Sequence, residues 1–357
     1  MSRWCLMLGL AVIGAGWAGT RHAEAVAEIT DRVRVVYLVD SDARHLREQA
    51  GRLGIDRTAT DYREALSDPE VDAISICLPH VLHHSVAIEA AEAGKHILCE
   101  KPLAMSVAEG SEMIRAAAAN GVKLYVAESA VYQAMPKALR TLVRSGKHLG
   151  EMTAAVCVSG FRGLDYGYAG RRSWLSDPTR GGSGTWLLHG IHTVAQIRYV
   201  FGEIENVYAW EHKTGAFSRR DLEGTVCAAL RLADGPVVQL IQTAESKVKG
   251  PAGGYAVYGT ERVLRAYEER INVLDEQGTT IEVIECPSPV LSSFASEILD
   301  FCEYVETGRP GPTTGESELR TLAVVEAGYQ SMSTGRPVDL RERYPGLPSA
   351  QEFEETQ

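Results

Sequence analysis

An α/β protein is what this 357-residue chain predicts: a doubly wound parallel sheet, then a second α/β domain with a large, mostly antiparallel open sheet. Three observations carry that expectation. Short apolar runs alternate with helical periodicity up to about residue 128. A glycine-rich turn, Gly14-Ala15-Gly16-Trp17-Ala18-Gly19, joins the first run to the first helix. Beyond residue 128, β-like runs follow one another without regular crossover helices.

The first strand is the run holding Leu6, Leu8, Leu10, Val12 and Ile13. In the turn after it, Gly14 permits the tight bend, Gly16 lets the backbone approach a pyrophosphate, and Gly19 lets the helix pack closely on the strand. The helix N-terminus then faces the phosphates. A second strand, 33–39, is closed by Asp40, whose carboxylate stands where it would accept hydrogen bonds from an adenosine ribose. A 2′-phosphate would meet a like charge there, so the pair points to NAD in preference to NADP; Arg44 is the nearby cation that keeps NADP open. Further strands are expected at 71–78, 96–99 and 122–127, with helices at 43–53, 82–93 and 106–120. Gly94 and Gly121 stand where C-terminal caps belong. Residues 1–128 form one nucleotide-binding domain on this reading.

A helix at 136–145 leads to Gly146 and Gly150, and strands are expected at 152–161, 207–210, 225–232, 237–243 and 255–258. Asp234-Gly235 between two of them is a hairpin signal. Helices at 292–306 and 316–333 follow, the second ending before Gly335-Arg336-Pro337. The second domain is then 129–345, its last helix a candidate to pack back on the first domain, and 346–357 is a tail, acidic over 351–357.

A net charge of −11 argues against nucleic acid and anionic membranes as partners. Seven scattered cysteines, an odd number with no CxxC pair, fit reduced thiols in a cytoplasmic protein. Arg3 followed by the apolar stretch 4–18 imitates a signal peptide. Cleavage near Ala18 would remove the first strand and most of the glycine turn, yet Asp40, which completes the nucleotide site, lies downstream. No later apolar run is long enough to span a membrane.

Ligands of open α/β sheets bind beyond the carboxyl ends of the strands. Two segments stand there: Leu78-Pro79-His80-Val81-Leu82-His83-His84 and Glu100-Lys101-Pro102. The three histidines lack a carboxylate or cysteine at matching spacing, so no metal is expected. Leu78, Pro79, His80 and His83 are assigned to a loop over the nicotinamide. Lys101, with Glu100 before it, is placed near the reacting carbon as a hydrogen-bond donor or proton relay. A third segment runs from Trp174 through a glycine loop into a helix, 186–201, that carries His189 and His192 on one face. Both are candidate catalytic residues, and His189 is also a substrate-binding candidate. Trp174, Trp186 and Tyr166 are candidates for a wall against the substrate, within an aromatic-rich set that also holds Phe161 and Tyr168.

Taken together these segments resemble the glucose-fructose oxidoreductase, inositol dehydrogenase and MocA (Gfo/Idh/MocA) family. The resemblance rests on the early GxGxxG, Pro79 with His83, Gly94-Lys95-His96 leading to Glu100-Lys101-Pro102, the 146–151 boundary, the 174–178 segment, the glycine loop and histidine helix, and Gly335-Arg336-Pro337. It implies a Rossmann domain, a C-terminal sheet that mediates homo-oligomers (dimer or tetramer), and NAD(P)-dependent oxidation of a sugar or cyclitol hydroxyl or reduction of the ketone. By that resemblance Lys101 matches the family's catalytic lysine and His192 its acid/base histidine. The chain departs from the pattern where aspartates stand four residues before and three after that histidine; it has Leu188 and Ala195, with His189 as an extra titratable group. His80 replaces the asparagine many members carry. Three other classes compete with a sugar, glycoside or cyclitol dehydrogenase. One is a lyase or glycosidase working by transient oxidation, which would release no free NADH. The others are a reductase of a dihydrodiol or tetrapyrrole and a non-catalytic NAD-binding regulator, the last disfavoured by the presence of Lys101 and His192.

Overall fold

The computed structural model describes residues 7–161, 170–181, 184–215, 217–218 and 222–347. The chain divides into two compact units, Met1–Ser129 with Val290–Leu319, and Ala130–Pro289 with Arg320–Gln357.

The first unit is built on six parallel strands: β1 (Leu8–Ile13), β2 (Val33–Val39), β3 (Thr58–Ala59), β4 (Ala73–Ile76), β5 (His96–Glu100) and β6 (Leu124–Ala127). Their order, β3-β2-β1-β4-β5-β6, reverses between β1 and β4, which is the doubly wound arrangement expected. β1 lies in the middle of the sheet and every residue of it is buried, which is why its sequence is continuously apolar and not alternating. Helices α1 (Trp17–Val26), α2 (Ala43–Leu53), α3 (Tyr62–Leu66), α4 (His83–Glu92) and α5 (Val107–Ala119) connect the strands. Asp42 caps α2 by accepting the N–H groups of Arg44 and His45. Gly94 and Gly121 take the left-handed conformation just past α4 and α5, at φ +70° and +67°. The two-residue β3 and five-residue α3 were not expected, since neither is long enough to show a period.

The second unit opens with α6 (Ala134–Ser145) and carries nine strands: β7 (Met152–Gly160), β8 (Ile204–His212), β9 (Thr225–Leu232), β10 (Val237–Thr243), β11 (Gly254–Gly259), β12 (Val263–Tyr267), β13 (Arg270–Leu274), β14 (Thr280–Glu285) and β15 (Val338–Asp339). They are ordered β14-β13-β12-β11-β7-β10-β9-β8-β15, antiparallel throughout except for the β7–β10 pair. The β9–β10 hairpin turns at Asp234-Gly235, with Gly235 at φ +105°. Along β9 and β10, Val226, Ala228, Leu230, Leu232, Val238 and Leu240 point into the core, and the residues between them face outward. Strands β12 to β15 were missed. β14 alternates Ile281 and Val283 with Thr280 and Glu282 over a short run, yet both apolar side chains are exposed.

The expected helix at 186–201 begins instead as a wide π-turn, Trp186–Gly190, and becomes α-helical only in α7 (Ile191–Phe201). The far end of α7 is anchored by a buried cluster: Arg198 donates two hydrogen bonds to Glu203, at 3.0 and 2.6 Å, and a third to Thr321, while Arg320 also donates to Glu203. Burial alone would raise the Glu203 pKa, but the two guanidiniums prevail and hold it below the ordinary carboxylate value.

Three further helices follow among the described residues, α8 (Ser293–Thr307), α9 (Gly315–Thr334) and α10 (Leu340–Arg343). α8 belongs to the first unit, where Ala295, Ile298, Phe301 and Cys302 share a core with Leu10, Val12, Val26 and Leu38. No helix among the described residues is long and apolar enough to cross a membrane, and no group of three or more potential metal ligands occurs among them. The six described cysteines are free thiols, five at least partly buried and Cys227 exposed.

Candidate active site

The three glycines of the turn stand in different surroundings. Gly14 sits at φ +106°, and a Cβ there would lie 2.3 Å from the Cys77 carbonyl oxygen at the end of β4. A Cβ on Gly19 would lie 1.8 Å from the Gly14 carbonyl oxygen, so α1 packs against the turn only because that atom is missing. A Cβ on Gly16 would meet nothing within 4 Å. Its backbone borders open space at the N-terminus of α1, which has neither a side-chain cap nor an acidic residue in its first turn. That geometry fits an incoming pyrophosphate. Asp40 directly follows β2 and is nearly buried. Its carboxylate accepts the N–H of Ala15 at 3.0 Å and that of Asp42 at 2.9 Å. An ionised carboxylate has about four acceptor positions, so these bonds orient it and do not by themselves saturate it. His45 adds a ring nitrogen 2.8 Å from the Ala15 carbonyl oxygen. Trp17 is exposed beside the turn, edge-on to Phe294, and Ala18 is half-buried.

The loops after β4 and β5 lie together. His83, the first residue of α4, is fully buried, with Nδ1 2.8 Å from the Pro102 carbonyl oxygen and Nε2 3.0 Å from that of Leu78. It lies between the Leu78-Pro79 loop and the Lys101-Pro102 turn with both ring nitrogens facing protein, and as a neutral ring it donates to one of the two carbonyls. Burial pulls its pKa below the ordinary value, with the carbonyls acting the other way. His80 is also buried and stacks edge-on with His83. Lys101 follows β5, half-buried, with a cis bond to Pro102. Its backbone N–H donates to Glu100 Oε2 at 3.1 Å. Burial lowers the Lys101 ammonium pKa, and the Glu100 and Glu128 carboxylates oppose that fall.

Behind this turn lies a cluster that sequence reasoning missed. His22 on α1, without any exposure, has Nε2 3.3 Å from Glu100 Oε1 and Nδ1 2.8 Å from the Ser75 hydroxyl. Glu297 on α8 brings Oε1 to 3.9 Å from the same Nε2. A single histidine eight residues past Gly14 gives no local signal, because its partners come from β4, β5 and α8.

In the second unit the π-turn presents His189 and α7 presents His192, both half-buried, with ring centroids 6.2 Å apart. Phe161 at the end of β7 stacks on His189 at 3.9 Å. The segment is held from below by Thr193, which donates to Gln242 at 2.9 Å, and by Gln242, which donates to Thr185 at 3.3 Å. Glu223 accepts the Trp186 N–H at 3.3 Å, and burial raises its pKa.

Two family descriptions match in succession: an oxidoreductase family's NAD-binding Rossmann fold over residues 8–128 and its C-terminal alpha/beta domain over 143–340. The chain belongs to the Gfo/Idh/MocA oxidoreductase family. It is 28% identical to the myo-inositol 2-dehydrogenase of Thermotoga maritima, over 93% of this chain and 98% of that protein. It is 27% identical to the scyllo-inositol 2-dehydrogenase (NADP(+)) IolU of Bacillus subtilis, over 93% and 99%. Among solved structures it superposes on the aldose-aldose oxidoreductase from Caulobacter crescentus complexed with glycerol, with a TM-score of 0.81 and 26% identity over 93% and 99%.

Within this Gfo/Idh/MocA chain Leu188 and Ala195 are buried, so the positions expected to carry aspartates are part of the core. Trp186 corrects an expectation: it has no exposed surface, its indole N–H donates to the Val325 carbonyl at 2.9 Å, and Gly328 packs against its ring. It is a core residue and not a wall for a ligand. Trp174 lies half-buried in a 3-10 turn, Gly170–Ser176. Tyr166 and Tyr168 fall outside the described residues.

Proposed function

We propose that this oxidoreductase transfers a hydride between NAD and a carbinol or keto carbon of a sugar, glycoside or cyclitol, with Lys101 at the reacting oxygen and His192 as acid/base. The carrying observation is that the glycine turn, Asp40, the Leu78-Pro79 loop and Lys101 follow the carboxyl ends of β1, β2, β4 and β5, contiguous strands of one parallel sheet. The sugar and cyclitol names of the relatives support the substrate class.

When bound, the nicotinamide supplies or accepts the hydride. The chain holds the substrate oxygen and manages one proton. Lys101 donates a hydrogen bond from its ammonium to the oxygen of the reacting carbon, which stabilises negative charge developing there. In oxidation His192 accepts the hydroxyl proton, and in reduction it returns it. His189, braced on Phe161, lies beside His192 and modulates it, and with Trp174 lines the substrate side. NAD is preferred to NADP because the Asp40 carboxylate would repel a 2′-phosphate.

A cytoplasmic homo-oligomer, dimer or tetramer, is proposed through the second unit's sheet. Trp210, Cys227 and Ile241 stand in one register row across β8, β9 and β10, all exposed. An exposed apolar row of this kind marks a contact surface.

A screen of sugars, glycosides and cyclitols with NAD, read at the NADH absorbance band, tests the reaction. Accumulating NADH supports it. Substrate consumption with an eliminated product and no free NADH would replace it with the transient-oxidation reading.

A further inference from the structure

Three ionisable side chains with almost no access to water meet behind the Lys101 turn: His22 on α1, Glu100 on β5 and Glu297 on α8. Ser75 on β4 faces His22 Nδ1 at 2.8 Å, and its hydroxyl lies 3.4 Å from the Cys77 sulfur. Phe294 of α8 closes the remaining side, edge-on to the imidazole at 5.8 Å. Glu128, beyond β6, is a further buried carboxylate acting on Glu297 and on Lys101. A buried charge survives only beside an opposite one, so the protons in this cluster must be distributed and not left to solvent.

The hydrogen bonds distribute them. Neither carboxylate oxygen of Glu297 has a hydrogen-bond partner, an arrangement tolerable for a neutral carboxyl and costly for an anion. Burial, reinforced by Glu100 and Glu128 and only partly offset by His22, accordingly raises the Glu297 pKa well above the usual range. Glu100 differs. It receives the Lys101 N–H on one oxygen and faces His22 Nε2 with the other, both contacts suited to an ionised carboxylate. A doubly protonated His22 satisfies every contact around it: Nε2–H to Glu100, Nδ1–H to Ser75, and the Ser75 O–H onward to Cys77. Burial would lower the His22 pKa, but Cys77 and Glu100 outweigh it and leave it well raised.

We propose that His22 is a positioning residue, a standing imidazolium that keeps the Glu100 carboxylate ionised and fixed behind the Lys101 turn. It touches no reacting atom. Its effect passes through Glu100, which with Glu128 opposes the loss of the Lys101 proton, and in this respect it rests on the reading of Lys101 as the group at the reacting oxygen.

The first test needs no substrate. Enzyme labelled with 15N-histidine is titrated by NMR, the His22 signal being assigned from its loss in His22→Gln. Both His22 ring nitrogens are expected to stay protonated past the ordinary histidine value of about 6.5. Loss of a proton at or below that ordinary value overturns the proposal. The second test uses His22→Gln, which keeps a donor for Glu100 without the charge, beside His22→Leu, which keeps neither. Without the cation Glu100 takes up a proton, Lys101 keeps only the Glu128 carboxylate, and the alkaline limb of kcat/KM moves to lower pH. His22→Leu also displaces the turn and lowers kcat by up to about 100-fold. NADH affinity is unchanged in both. A limb that stays in place or moves up shows Glu100 ionised without His22, and a lower melting temperature with unaltered kcat and pH profile shows a merely structural histidine. Either outcome overturns the proposal, while the NMR titration stands whatever the substrate proves to be.

Discussion

Asp40 and Ala15 are joined by a 3.0 Å hydrogen bond from the Ala15 backbone N–H to the Asp40 carboxylate, so one acidic side chain ends β2 and clamps the glycine turn after β1. The residue proposed to select the nucleotide therefore also shapes the turn proposed to hold it. Asp40→Ser is expected to narrow the preference for NADH over NADPH and to cost about 1–3 kcal/mol of stability, because buried N–H groups lose their acceptor. Binding of both cofactors and a thermal melt of wild type and variant check this. A wild-type Kd tighter for NADPH than for NADH would remove the assigned role of Asp40.

The glycines of the turn separate affinity from stability. Gly19→Ala places a methyl within 1.8 Å of a backbone oxygen and should destabilise the first unit by about 1–3 kcal/mol. Gly16→Ala meets no protein atom and should leave the melting temperature unchanged while weakening NADH binding, since its methyl enters the space a pyrophosphate would use. Equal effects of the two substitutions on both measurements would contradict this division.

Lys101→Ala is expected to lower kcat by about 10²–10⁴-fold with NADH binding retained, the usual cost of losing one positioned polarising or proton-transfer group. Steady-state kinetics beside a cofactor titration decide it. Near wild-type kcat would reduce the Glu100-Lys101-Pro102 segment to a turn.

For oxidation, kcat/KM should rise with pH as His192 becomes able to accept a proton, and His192→Asn should abolish that dependence while His189→Asn only shifts it. The pH–rate profiles of the two variants are the measurement. If His189→Asn alone removes the acidic limb, the two histidines exchange roles.

Glu203 ties acid stability to the His192 helix. Its folded pKa lies below the ordinary 4.5, so its stabilisation is complete above that value and is lost as pH falls through the lower folded one. Glu203→Gln leaves Arg198 and Arg320 without their shared anion and should cost about 3–5 kcal/mol at neutral pH. Denaturant titrations at several pH values should show the gap between wild type and variant closing in acid.

The sequence by itself determined the parts of this protein whose physics is local. β1, the glycine turn and Asp40 lie within one strand–turn–helix–strand stretch, and a buried parallel strand announces itself by unbroken apolar residues. The hairpin at Asp234-Gly235 and the caps at Gly94 and Gly121 were legible for the same reason: a positive φ strongly favours glycine. Tertiary structure decided what depends on distant partners. β14 has a short apolar period, Ile281 and Val283, but leaves both side chains exposed, and Trp186 is core because its indole reaches Val325 and packs on Gly328. His22 gained meaning only when Ser75, Glu100 and Glu297 converged on it from three other elements. Burial and charge pairing are properties of the folded neighbourhood, and no spacing along the chain encodes them.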